Sequence, residues 1–75
     1  MPLQTNPGRL PDDCVILDEE GNVTGFHKVH VVTFRGFSTR AADHAPWPAG
    51  GGRPPTNWAI STPPHDSDIQ FYEVI

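Results

Sequence analysis

The chain is poor in cysteine, in basic side chains and in long apolar runs, and each shortage excludes something. Cys14 is the only cysteine, so no disulfide can close within the chain and no cysteine-based zinc site can be completed by it. A reducing, cytoplasmic setting is the expectation that follows. Five Lys and Arg stand against nine Asp and Glu, a formal charge of −4. Binding to phosphate backbones depends on Lys and Arg, so this balance argues against nucleic acid as a partner. It suits docking on a basic protein surface instead. No run approaches the roughly 18 apolar residues of a membrane span, and residues 1–9 lack the apolar stretch of an export signal. We therefore expect a soluble chain with no membrane role.

Hydrophobic residues are scarce too, at 36% of 75 residues. A core of that size is marginal unless a partner, a ligand or a metal adds to it. Turn chemistry is plentiful, with nine prolines and seven glycines, though short of the level that argues disorder throughout. Residues 1–13 carry three prolines and read as a flexible, extended N-terminal arm. Residues 14–75 read as a single small β domain.

Four stretches have strand character, and we expect a mainly β fold: a small curled antiparallel sheet of about four strands over 14–18, 23–36, 57–62 and 69–75. Asp18-Glu19-Glu20-Gly21-Asn22 supplies a hairpin turn with Gly21 tolerant of positive φ, and Gly25 is a candidate bulge. From Phe26 to Phe37 the chain is rich in β-branched residues and forms the central strand. Alternation puts Phe26, Val32 and Phe34 on one face and Val29, Val31 and Phe37 on the other, each with polar neighbours. Both faces should then be covered, one by the core and one by a loop or a partner. Ser38 can cap at most one short helical turn before Pro46 and Pro48. A long Pro/Gly loop follows. Ile69, Phe71 and Glu73 should share one face of the last strand, and Gln70, Tyr72 and Val74 the other. Open sheet edges invite a second copy or a partner.

The chemistry-bearing residues are few. His27 and His30 fall on opposite faces of a strand, so they make no metal pair. His65, Asp66 and Asp68 offer three ligands in one loop, but Asp side chains in such loops ordinarily hold backbone amides. Cys14 sits in an apolar run, as a buried thiol does. No nucleophile, base and orienter stand in a context specific to a reaction, so we expect no enzyme activity and no cofactor. Gly50-Gly51-Gly52-Arg53 has glycine amides that could face an anion, but lacks the Lys-Ser/Thr ending of a phosphate loop. Charge is more informative: residues 27–53 hold Lys28, Arg35, Arg40 and Arg53 against Asp43 alone. Trp47 and Trp58 flank the same loop. Arginines beside aromatic faces are common in binding hot spots and in base stacking. Arg35, Arg40, Trp47, Arg53 and Trp58 are therefore the candidate binding residues.

Trp47-Pro48, Pro54-Pro55-Thr56-Asn57-Trp58 and His65-Asp66-Ser67-Asp68-Ile69-Gln70-Phe71-Tyr72-Glu73 resemble small, uncharacterised proteins encoded by phages and prophages of proteobacteria. The resemblance covers roughly the second half of the chain. It implies an accessory protein in the cytoplasm of a bacterial host, binding a host or phage protein, with anti-defence action or capture of a signalling nucleotide among the roles. The expectation is a non-enzymatic binding protein, alone or as a homodimer. An anionic nucleotide held by the Arg/Trp loop is the alternative, and a metal or enzyme site at His65, Asp66 and Asp68 the third.

Overall fold

The computed structural model describes residues 3–75; Met1 and Pro2 of the expected arm lie outside the described residues. The fold is mainly β. Its strands are β1 (Gln4–Thr5), β2 (Val15–Leu17), β3 (Val23–Phe26), β4 (Lys28–Thr33), β5 (Trp47–Pro48) and β6 (Ile69–Val74). The described residues contain no α-helix and one 3-10 turn, Asp12–Cys14. A four-stranded antiparallel sheet has the order β1-β6-β4-β5, and β2 and β3 form a separate two-stranded hairpin.

The central pair is β4 with β6. Val29 faces Val74, Val31 faces Tyr72 and Thr33 faces Ile69, and this face is the core, with Val29 and Val31 fully buried. A register shift beside Val32 lets Ile69 and Tyr72, three residues apart, point the same way. That overturns the simple alternation, which put Ile69 with Phe71 and Glu73. The bulge exists because Ile69 and Tyr72 both gain from burial. Cys14, Ala49 and Trp58 complete the core, with Leu10 and Phe26 packed against its side.

The expected strand over 23–36 is two strands. His27 breaks the ladder: its N–H donates to the Cys14 carbonyl and its own carbonyl accepts from Ala49, so the chain leaves the hairpin and enters the large sheet. The irregularity expected at Gly25 lies beside it, where the register moves from Ile16↔Gly25 to Leu17↔Val23. Gly21 has φ 85°, as the hairpin turn requires. At the other end β4 stops at Thr33, and a turn through Gly36 takes Phe37 out of the core face to 43% exposure.

The expected strand over 57–62 is absent. Its backbone groups find side chains instead of a ladder: the Trp58 carbonyl accepts from Asn6 Nδ2 (2.9 Å), and the Ser61 N–H donates to Asp68 Oδ2 (2.9 Å). Proline pairs on both flanks leave few donors for strand pairing. The residues read as an arm contribute β1 in its place. That stretch is extended, and it is packed: Asn6 is buried and its N–H donates to the Gln70 carbonyl.

Beyond β5, the same edge of β4 is met by residues 38–44, with Ser38 opposite Val32, while on the outer face Lys28 stays exposed and His30 and Val32 half-buried. Residues 38–44 form the single turn expected at Ser38, whose Oγ accepts from the Ala41 N–H (3.3 Å). The turn closes through Asp43 in the left-handed region (φ 58°), with His44 N–H to the Thr39 carbonyl and Asp43 N–H to the Arg40 carbonyl. Thr39, fully buried, pairs with Val31 beside it and also bonds His30 Nδ1 (3.0 Å).

Candidate binding surface

The five sequence-selected residues do not form one site. Trp58 belongs to the core. It is 5% exposed, its Nε1–H donates to the Ala49 carbonyl (2.8 Å), and its ring meets Tyr72 edge-on at 5.3 Å. Arg40 is engaged: its Nη1 reaches both carboxylate oxygens of Glu73 at 3.0 and 3.1 Å. Glu73, the cross-strand neighbour of His30, is buried on the outer face and takes its charge partner from the turn at residues 38–44. This pair is structural cover and leaves Arg40 less free to meet an anion.

Trp47, Arg35 and Arg53 remain at the surface. Trp47 stands on β5, 38% exposed, between two clefts. One, of about 510 Å³, is lined by Thr33, Arg35, Phe37, Trp47, His65, Asp66 and Ser67. The other, of about 360 Å³, is lined by Trp47, Pro48, Arg53, Pro54, Pro55, Thr56 and Asn57. Arg35 and Arg53 thus sit on different sides of one indole.

The larger cleft is braced from below. Phe34 N–H donates to the Asp68 carbonyl and Arg35 N–H to the Asp66 carbonyl, both at 3.0 Å, which sets the 65–68 turn against the end of β4. Asp68 organises that turn, its Oδ2 accepting from the Ser61 and His65 N–H groups at 2.9 Å. The bonds from Ser61 and His65 hold its carboxyl below the usual range. Ser67 N–H donates to His65 Nδ1 (3.1 Å), which makes Nδ1 an acceptor and leaves the ring proton on Nε2. Ser67 Oγ lies 2.7 Å from the same nitrogen. His65 Nδ1 and Asp68 Oδ2 are therefore engaged inside the turn, and among the described residues no three His, Cys, Asp or Glu groups converge on a metal position.

The Gly-rich loop is part of the scaffold. The Phe26 ring lies so close to Gly50 that a Cβ there would stand 3.0 Å from it, and one on Gly52 would meet Pro48 Cγ at 2.8 Å. These glycines serve close packing. Thr56 Oγ1 closes the loop on the Pro48 carbonyl (2.6 Å), so the smaller cleft is preformed.

Cys14 is fully buried, and burial followed by the adjacent Asp13 carboxylate pushes its thiol up to about 11. It is a core residue. Two lining residues escaped the sequence reading. Phe37 was placed on one strand face with Val29 and Val31 because alternation was extended past Gly36, and His65 was weighed only for a metal or enzyme site. The Gly36 turn was the available signal for Phe37; nothing in the sequence places His65 beside Arg35.

No protein-family model, curated protein or solved structure matches the chain. Among the described residues no helix is long and apolar enough to cross a membrane.

Proposed function

We propose that the protein is a non-enzymatic binding protein, a phage-derived accessory factor in the bacterial cytoplasm, that occupies the surface of a host or phage protein. The exposed Trp47, with Phe37 and Arg35 on one side and Arg53 on the other, carries this reading. Tryptophan and arginine dominate the energetics of protein interfaces, where a flat ring and a planar cation bury much area at little entropic cost. The margins of the four-stranded sheet favour side-chain contact over strand addition. Both are two residues long, and one carries Pro48, which cannot donate to a neighbour. Affinity capture from a bacterial lysate with the natural chain and Trp47→Ala side by side tests this. Proteins retained by the first and lost by the second are expected; identical captured sets would overturn the reading.

A second reading is supported by the size of the larger cleft, about 510 Å³, which falls in the range of small-molecule sites. An anionic nucleotide would place its base against Trp47 and Phe37 and its phosphate on Arg35. Arg40 and Trp58 drop out of that site. A thermal-shift screen of nucleotides is the test: a ligand at 100 times its Kd adds roughly 2.7 kcal/mol. A shift that persists in Arg35→Ala, or no shift with any nucleotide, removes this reading.

A further inference from the structure

The smaller cleft is walled by prolines and an indole, and the free polar groups of its side chains are chiefly N–H donors. Pro48, Pro54 and Pro55 stand with Trp47 around about 360 Å³. Trp58 commits its indole N–H to the Ala49 carbonyl, whereas that of Trp47 meets no acceptor among the described residues. Asn57 Oδ1 accepts from the Ala59 N–H (3.0 Å), which fixes the amide and leaves Nδ2 to donate. The ion pairs among the described residues join Arg9 to Asp12 and Arg40 to Glu73, so Arg53, the one charged residue lining the cleft, is unpaired. No carboxylate lines the cleft beside these donors, and the Thr56 hydroxyl is held on the Pro48 carbonyl.

Such a lining selects a ligand that is apolar, rich in acceptors and poor in donors. A donor pressed against the proline walls loses its water and gains no partner. An ordinary strand carries an N–H at each residue, and a helix uses its carbonyls on its own backbone. A proline-rich segment meets both demands. Proline has no N–H, and in the polyproline II helix every carbonyl is free to accept. Aromatic-lined grooves take such segments, whose conformation is set before binding. The cleft is set beforehand as well, because the loop that forms it is packed on β5, with Gly52 against Pro48 and Thr56 closed on the same residue. Two ordered partners lose little entropy on docking. Arg53 adds charge complementarity for a carboxylate beside the prolines.

We propose that this cleft takes a proline-rich segment of a partner protein in the polyproline II conformation, with its prolines against Trp47, Pro48 and Pro55, its carbonyls on the Trp47 and Asn57 donors and an acidic residue on Arg53. The proposal rests on the reading of the Trp47 surface as a protein-binding site and names the kind of segment it takes.

Isothermal titration calorimetry on the full chain tests it, with an acetylated, amidated hexaproline peptide carrying a glutamate at each end as the probe. The peptide should bind, and its counterpart with alanine in place of proline should bind about tenfold or more weakly, the loss expected when about 1.4 kcal/mol of contact is removed. Asn57→Asp keeps an oxygen for the Ala59 N–H but exchanges the free donor for an acceptor, and should weaken binding of the proline peptide by a similar factor. Arg53→Glu should lose the glutamate-flanked peptide and gain a lysine-flanked one. Asn57 and Arg53 are exposed, and circular dichroism checks that each variant is folded. A natural chain that binds neither peptide, or both equally, overturns the proposal, as does an Asn57→Asp chain that binds the proline peptide unchanged. Trp47-dependent capture from a lysate is scored separately: where it persists without peptide binding, the surface reading stands and the proline ligand alone falls.

Discussion

Glu73 and Cys14 show how burial converts ordinary side chains into constraints. The Glu73 side chain is 7% exposed and its partner Arg40 70% exposed, so the pair is half dry. Breaking a fully buried pair costs about 3–5 kcal/mol; solvent on the arginine side lowers this to roughly 1–2 kcal/mol for Arg40→Ala. Urea denaturation measures it, and replacing both residues by apolar ones should recover most of the loss, because no charge is then left buried. Cys14 gives a pH dependence. Its thiol lies at about 11 in the fold against an ordinary 9.0, so the folded chain keeps a proton that the unfolded chain releases. Stability is whole below pH 9 and falls as pH rises towards 11. Tyr72, held up by burial and then by its bond to Asp13 (2.7 Å), adds to the loss from the ordinary tyrosine value of 10.0 upward. Melting temperatures from pH 8 to 11 should drop less in Cys14→Ala than in the natural chain. Cys14 was legible in the sequence as an apolar-run thiol. The partner of Arg40, 33 residues away, was not.

Among the elements, the N-terminal stretch has the largest structural effect for its size. Asn6 Nδ2 bonds the carbonyls of Trp58 and Ile69 at 2.9 and 2.8 Å, and its Oδ1 accepts from Gly8 N–H. One side chain thereby joins β1, β6 and the irregular segment that replaces the expected strand. Asn6→Ala leaves two buried carbonyls without donors and should cost roughly 2–3 kcal/mol by urea denaturation. It should also expose residues 3–13 to proteolysis while the rest of the chain resists. The hairpin turn at 18–22 and the turn at Ser38 could be read in advance because each is closed by bonds between near neighbours. The segment 57–62 could not, because its donors and acceptors are met by Asn6 and Asp68, and apolar alternation says nothing about those partners.

At the scale of the whole molecule, the two tryptophans divide the labour. Trp58→Ala removes a buried ring packed on Tyr72 and should destabilise by about 3–5 kcal/mol. Trp47→Ala should change stability by less than about 1 kcal/mol and act on binding instead. Thermal denaturation of both variants, beside the capture assay, separates core from surface. The same long-range packing sets residues 38–44 along the edge of β4 and brings Arg40 onto Glu73 of the outer face, where Lys28 stays exposed. The sequence by itself determined what depends on neighbours: the β character, the hairpin and capped turns, the unreactive setting of Cys14 and the basic stretch around Trp47. The tertiary structure alone decided which tryptophan is exposed, which arginine is neutralised and where the long strand breaks. Burial and charge pairing are set by contacts between residues dozens of positions apart, and local composition does not encode which of several similar side chains will make them.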